Sequence, residues 1–271
     1  MAIDYEYIRN VGIGAAYGSA KILCDHLGNL DRIEKKGPGD LVTSADLASE
    51  KQIMDTIHAR FPDHDFLAEE SGETHRNISE CCWIIDPLDG TTNYAHQVPL
   101  FAISIAFAVS GETQVGIVLN PVTGELFTAI RGKGATLNGR PIRTSSCPKL
   151  SDALLVTGFP YNAKQNIKPY MTRFERCLNA SIGVRRLGSA ALDLCFVACG
   201  RFDGFWEENL KPWDTAAGDL IAKEAGARVT DFTGNEYTVD KNEILATNGH
   251  IHDNMCAILQ HMRCYEIVCQ K

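Results

Sequence analysis

The chain has 271 residues, of which 45% are hydrophobic and 22% charged, with a formal net charge of −8. That length buries a substantial core, as one large domain or two closely joined halves, and the composition lies outside the disordered range. An acidic balance disfavours broad nucleic-acid binding, and neither a secretion signal nor a bilayer-spanning apolar run is present, so a cytoplasmic home without membrane attachment is expected.

In chain order, residues 4–27 carry Ile8, Val11, Ala15, Ile22 and Leu27 at near-helical spacing, and Gly28 is a stop signal. A second helix is expected from about Ser44 to Arg60. Between them Lys35-Lys36-Gly37-Pro38-Gly39-Asp40 is rich in breakers and predicts an irregular loop. Short apolar runs then predict strands at Phe66–Ala68, Trp83–Ile85, Phe101–Val109, Val115–Leu119 and Glu125–Ile130, with Asn138-Gly139 as a hairpin signal. This first half, about residues 1–150, reads as helices followed by a largely antiparallel sheet.

The second half, about 151–271, alternates. Extended segments are expected at Ala153–Thr157, Asp203–Trp206 and Ile244–Ala246, and helices at Asn162–Asn179, Ser189–Cys199, Trp213–Ala225 and about His250–Met262. Strands mixed with helices throughout imply stacked α/β layers in a single domain of two halves. The ten cysteines are scattered, without a CxxC pair or zinc spacing, which fits a reducing compartment. Cys195 and Cys199, four apart on a predicted helix, read as small apolar core residues.

The chemistry concentrates at Asp86-Pro87-Leu88-Asp89-Gly90-Thr91-Thr92-Asn93, where an apolar run ends in two carboxylates, a proline and a glycine. Asp86, Asp89 and the Leu88 carbonyl offer hard oxygen ligands suited to Mg²⁺ rather than zinc. Gly90 and Thr91 open a short helix whose free N–H groups attract an anion, so cation and phosphate can meet there. The spacing fits neither an EF-hand loop, which needs alternating acids, nor an aspartyl-phosphate phosphatase, whose two Asp are one residue apart. Glu69-Glu70 at a strand end, and Asp46 and Asp214 at helix starts, are each ordinary surface or capping residues when taken alone.

Taken together, three segments resemble the inositol monophosphatase family. They are Asp40-Leu41-Val42-Thr43-Ser44-Ala45-Asp46, Phe66-Leu67-Ala68-Glu69-Glu70-Ser71 running on to Asp86–Asn93, and Trp213-Asp214-Thr215-Ala216-Ala217-Gly218. The resemblance extends from about Tyr5 to Gln260 and is stronger to bacterial-type members. It implies a five-layer αβαβα sandwich of the inositol monophosphatase and fructose-1,6-bisphosphatase type, a homodimer, and a lithium-sensitive, Mg²⁺-dependent phosphatase with two or three Mg²⁺ per site. By the same resemblance Glu69, Asp86 and the Leu88 carbonyl hold the first metal, Asp86, Asp89 and Asp214 the second, and Glu69 with waters a weaker third. Thr91 and Asp46 assist the water nucleophile alongside Glu69. Gly90 and Thr91 face the phosphate, and Gly188, Ser189, Ala190 and Glu207 line the alcohol pocket.

Some assignments stay open at this level. Lys35 matches a basic loop residue of the family, with Lys36 adjacent. Asp193, one turn after Ser189, is either a pocket residue or a solvated one. Arg185-Arg186 is either an anion clamp for a second phosphate or a surface or interface pair. Glu208 departs from the family pattern, where a small or apolar residue is usual. The expected reaction is hydrolysis of myo-inositol 1-phosphate or a related polyol phosphate. Fructose-1,6-bisphosphatase, histidinol-phosphatase and nucleotide 3′-phosphatase activities are alternatives on the same chemistry. An accessory role with RNA-processing or transcription machinery is an alternative of another class, and the sequence shows no basic stripe to support it.

Overall fold

The computed structural model describes residues 3–28, 33–37, 40–74 and 80–260. Helix α1 (Tyr5–His26) is capped by Asp4, whose carboxylate accepts the amides of Glu6 and Tyr7 at 3.1 Å. Strands β1 (Ile33–Gly37) and β2 (Asp40–Thr43) follow as an antiparallel pair, where the breaker-rich composition predicts an irregular loop. The ladder reaches Gly37↔Asp40, so most of the breaker-rich segment that is described is paired strand.

Helix α2 (Ser44–His58) leads to β3 (Asp65–Ala68), β4 (Gly72–Thr74), β5 (Cys81–Asp89) and the short α3 (Thr91–Ala95). Then come β6 (Ala102–Val109), β7 (Glu112–Asn120), β8 (Glu125–Ile130), β9 (Ala135–Leu137) and β10 (Arg140–Pro141). The second half runs β11 (Leu154–Thr157), α4 (Ile167–Ala180), β12 (Gly183–Arg185), α5 (Ala190–Ala198), β13 (Gly204–Glu208), α6 (Pro212–Glu224), β14 (Arg228–Thr230), β15 (Glu243–Thr247) and α7 (His252–Gln260).

Among the described residues the first half forms an eight-stranded sheet in the order β10-β9-β8-β7-β6-β5-β3-β4. It is antiparallel except where β3 runs parallel to β5. The second half forms a five-stranded mixed sheet, β12-β11-β13-β15-β14, in which β11 is parallel to both its neighbours. Helices α1 and α2 cover one face of the large sheet, α5 and α6 fill the space between the sheets, and α4 and α7 cover the far face of the small one. The five layers are therefore αβαβα.

Strand alternation assigns the cores to these layers. Trp83 and Ile85 on β5 pack with Ile53 and Leu23 under α1 and α2, whereas Ile84 between them faces Leu194 and Leu220 of α5 and α6. In β13, Phe205 joins that central core and Trp206 the outer one, with Leu245, Met255 and Leu259. The central contact is close. A Cβ on Gly116 of β7 would stand 2.7 Å from the Ala217 carbonyl oxygen of α6, so only glycine lets that helix approach. Cys195 is buried in this layer, and the eight described cysteines are free thiols. No helix among the described residues is long and apolar enough to cross a membrane.

Candidate active site

A cleft of about 320 Å³ opens at the carboxyl ends of β3, β5, β11 and β13, where α3, α5 and α6 begin. Open α/β sheets place ligand sites at strand ends of this kind. Its lining includes Glu69, Asp86, Leu88, Asp89, Asp214 and Glu207, drawn from segments far apart in the chain.

Asp86 and Asp89 reach the same cleft through a β-bulge. In the pairing of β5 with β6, Asp86 lies opposite Ser104 and Asp89 opposite Ala102, so three steps on one strand match two on the other. A regular strand would point residues three apart to opposite faces, and the extra residue restores them to one side. Pro87, which has no N–H to give to a ladder, stands in the bulge. The strand thus continues through a segment whose composition reads as a turn after Ile85.

Each of these carboxylates is oriented by the protein. Asp86 Oδ1 accepts the Leu88 amide at 2.9 Å. Asp89 Oδ2 accepts the Ser189 hydroxyl at 2.6 Å and the Ala191 amide at 2.8 Å, at the start of α5. Asp214 Oδ2 accepts the Lys211 amide at 2.7 Å, closing the first turn of α6. In each case the second oxygen has no hydrogen bond among the described residues. Burial pushes the Asp86 carboxyl well above its usual range, and Glu69, Asp89 and Asp214 push it further. Burial raises Asp89 to about 6 against the opposing Ser189 and Ala191 bonds, and burial with Asp89 raises Asp214.

Buried acids crowded in this way call for positive charge. No three His, Cys, Asp or Glu side chains among the described residues already form a closed metal cage. The fit to a cation therefore rests on donor chemistry: converging carboxylates, each with one oxygen held and one open, and a carbonyl between them, a hard oxygen set suited to Mg²⁺.

Helix α2 supports this end from one face. Asp46, Ser49 and Glu50 are all buried, at the i, i+3, i+4 spacing of neighbours on a helix. Thr91 Oγ1 lies 3.3 Å from Asp46 Oδ1 and 3.1 Å from the Leu88 carbonyl oxygen, so its hydrogen is directed to these two acceptors. Ser49 donates to the Pro87 carbonyl at 3.0 Å. Glu50 accepts the amides of Glu70 and Ser71 at 2.8 and 2.9 Å, which fixes the turn carrying Glu69. Ser49 and Glu50 are not singled out by the sequence reading, although their spacing from Asp46, Ile53 and Ile57 marks a common buried face.

The other end of the cleft is joined across long sequence distances. Asn93 donates to the carbonyls of Leu100 and Leu187 at 2.6 and 2.8 Å, which seats the Gly188 turn against α3. Gly188 has a φ of 93°, in the left-handed region that favours glycine, and a Cβ there would have to displace the Arg186 guanidinium, whose Nη1 would lie 2.7 Å away. Ser189 and Ala190 line the cleft, but the Ser189 hydroxyl is engaged by Asp89. Glu207, 8% exposed, has no hydrogen bond among the described residues and is raised by burial to about 8. Its carboxylate occupies the space a Cβ on Gly158 would need, 2.1 and 2.2 Å from the two oxygens.

The open assignments are now placed. Arg186 lines the cleft, and its charge opposes the upward shifts of Asp89, Asp193 and Glu207. Arg185 is exposed, outside the lining, and bonded to the Val184 carbonyl. Asp193 is neither solvated nor part of the lining; it is 1% exposed with both carboxyl oxygens unpartnered, and burial, then Glu207, raises it. Lys35 belongs to β1, and its side chain lies outside the described residues.

Residues 4–263 match the inositol monophosphatase family. The chain belongs to that family. An inositol-1-monophosphatase from Synechocystis is 46% identical over 233 residues, 86% of this chain and 81% of that protein. Nus factor SuhB of Escherichia coli K12 is 43% identical over 256 residues, 94% and 95% of the two chains. The solved inositol monophosphatase from Anabaena superposes with a TM-score of 0.87 at 42% identity, covering 96% of this chain and 97% of that one. The αβαβα layers are thus those of the inositol monophosphatase fold, and the family carries phosphatase chemistry.

Proposed function

We propose that the protein is a Mg²⁺-dependent phosphomonoesterase that hydrolyses myo-inositol 1-phosphate or a related polyol phosphate by direct attack of water. The observation that carries this reading is the convergence of Asp86, Asp89 and Asp214 in one cleft with one oxygen of each held by the protein. Glu69, these three Asp and the Leu88 carbonyl would hold two or three Mg²⁺, with Li⁺ as inhibitor, in a homodimer. The metal supplies positive charge against the anionic ester and lowers the pKa of water from about 16 toward neutrality.

The chain's own groups supply position and proton transfer. Amides at the start of α3, beside Gly90 and Thr91, face the phosphate. Thr91 Oγ1 accepts a proton from the attacking water as its own hydrogen passes to Asp46 Oδ1. Water attacks phosphorus in line as the ester P–O bond breaks; the departing alkoxide takes a proton from solvent water, the hydroxide so formed is neutralised by the proton relayed to Asp46, and the products are the alcohol and inorganic phosphate. Glu207, with unfilled acceptor capacity, takes hydrogen bonds from hydroxyls of the leaving alcohol. No enzyme-bound phosphoryl group is required.

The test is a kinetic panel of inositol 1-phosphate, fructose 1,6-bisphosphate, histidinol phosphate and a nucleoside 3′-phosphate, with and without Mg²⁺ and Li⁺. Inositol 1-phosphate should give the highest kcat/KM, dependent on Mg²⁺; a far higher value for the bisphosphate would replace the substrate, and turnover without divalent metal would sink the mechanism.

The name of the Escherichia coli relative, a Nus factor, favours a second reading in which the protein also assists transcription machinery. Asp89→Asn protein used as bait in cell extract tests it. Recovery of RNA polymerase would support that role, and its absence would count against it.

A further inference from the structure

Helix α4 lies outside the cleft, on the far face of the small sheet, yet one of its sides grips the cleft wall at three places. Tyr170, Arg173 and Phe174 are spaced i, i+3, i+4 and so project together. Asn209 donates to Tyr170 Oη at 3.5 Å, Arg173 Nη1 donates to Glu208 at 2.5 Å, and the Phe174 ring lies 6.0 Å from that of Phe159. Asn209, Glu208 and Phe159 all line the cleft near Glu207. Arg173 is also held from behind: Nε donates to the Leu259 carbonyl of α7 at 3.3 Å, and the guanidinium lies 5.2 Å over the Phe232 ring. The two side chains of the ion pair are only 11% and 18% exposed.

Glu207 and Glu208 are neighbours on β13, so their side chains leave opposite faces of the sheet. Glu207 follows Phe205 toward the central layer, and Glu208 follows Trp206 toward α4. The cleft already holds the carboxylates of Glu69, Asp86, Asp89, Glu207 and Asp214, with Arg186 and Lys211 as the bases in its lining. Glu208 left without its partner at the cleft edge would repel an anionic ester, and partial burial makes that repulsion stronger than it would be in water.

We propose that Arg173 is a positioning residue for substrate recognition: it neutralises Glu208 and keeps that carboxylate turned toward α4, so that only Glu207 of the two adjacent acids is offered to the substrate. This rests on the phosphomonoesterase reading above. It also gives the buried acid at position 208 a partner. Glu208 there is half of an internal ion pair and not a selector of esters.

The test is steady-state kinetics on inositol 1-phosphate with Mg²⁺ at about pH 8.5, where an unpaired Glu208 is ionised. The proteins are wild type, Arg173→Met, Glu208→Gln and the double variant, at low and high salt. Arg173→Met should raise KM about tenfold with kcat within about twofold, and salt should shrink the increase. Glu208→Gln keeps an acceptor for Arg173 and should leave KM within about threefold, and the double variant should return close to wild type. An unchanged KM in Arg173→Met, or a double variant as impaired as Arg173→Met, overturns the proposal. Should Arg173→Met not fold, Arg173→Lys carries the test: a KM within about threefold of wild type supports charge neutralisation, and a tenfold rise overturns it. Asp89→Asn run in parallel separates the two readings. If Asp89→Asn remains active, the phosphomonoesterase reading fails; if it is dead while Arg173→Met is unaffected, only the role of Arg173 fails.

Discussion

At one end of the cleft, where the proposed reaction puts the phosphate, Asp86, Asp89 and Asp214 each have one oxygen fixed by an amide or hydroxyl of the protein, whereas at the other, the proposed leaving-group end, Glu207 accepts no hydrogen bond among the described residues. The carboxylates of the first end are held in fixed orientations, and the second offers open acceptor capacity. On the proposed phosphomonoesterase reading such a site divides its tasks: the oriented acids determine the reaction and the unfilled acceptor selects the alcohol. The supports differ in the same sense. Asp46, Ser49 and Glu50 brace the first end from one helix, while the second depends on ties spanning long stretches of chain, Asn93 to Leu187 and Arg173 to Glu208.

The largest expected effect strikes the phosphate end. Asp89→Asn keeps an acceptor for Ser189 and Ala191 but removes the charge, so kcat should fall about a thousandfold, the scale of losing a principal electrostatic contact in a preorganised site. The melting temperature should change little in chelator. A variant within about tenfold of wild type would contradict the division. At the other end, Glu207→Gln weakens hydrogen bonds to a charged acceptor worth about 2 kcal/mol, or roughly thirtyfold in kcat/KM. For a small ester without vicinal hydroxyls the same variant should match wild type, and an equal loss on both substrates would show that Glu207 is not selective.

A smaller effect tests how the first end is held. Ser189 caps α5, accepting the Leu192 amide at 3.3 Å while donating to Asp89. Ser189→Ala should weaken Mg²⁺ activation about tenfold, as for the loss of a group that orients a metal ligand, and cost about 1 kcal/mol of stability through the lost cap. If Mg²⁺ dependence is unchanged while stability falls, Ser189 is a cap alone.

The same contrast governs what the sequence reveals. The phosphate end was legible because Asp86, Leu88, Asp89 and Thr91 lie within six residues and their spacing narrows the chemistry, with Glu69 and Asp214 added by family resemblance. The bulge that aims Asp86 and Asp89 together was not legible, since it shows only in the pairing with Ser104 and Ala102. The layers followed from apolar periodicity, but the short strands β4, β12 and β14 were missed because three residues are too few to show a period. The pairing of β1 with β2 was hidden by the breakers in the sequence between and within them. At the leaving-group end, the choice of Arg186 over Arg185 and the pairing of Glu208 with Arg173 depend on where β12 and α4 pack, which no local spacing encodes.

The last expected effect is a pH dependence that belongs to the metal-free protein. Burial raises Glu207 from 4.5 to about 8, so the folded chain holds this proton more tightly than the unfolded one. Its contribution is therefore fully present below about pH 4.5 and is lost as pH rises through about 8. His252 works in the opposite sense. Buried between the hydroxyls of Thr230 and Thr247 and lowered from 6.5 to about 4, it costs stability as pH falls below 6.5. Comparing Glu207→Gln with wild type cancels His252, which both proteins share. In chelator the variant's melting temperature should gain on wild type steadily from pH 5 to 8, by roughly 2–4 °C per kcal/mol of relieved charge burial. With saturating Mg²⁺ the gain should shrink, because nearby positive charge lets Glu207 ionise in the folded state. A difference that stays flat across this range, or that grows with Mg²⁺, would mean that Glu207 is already satisfied in the metal-free cleft and that the two ends are less distinct than their hydrogen bonds show.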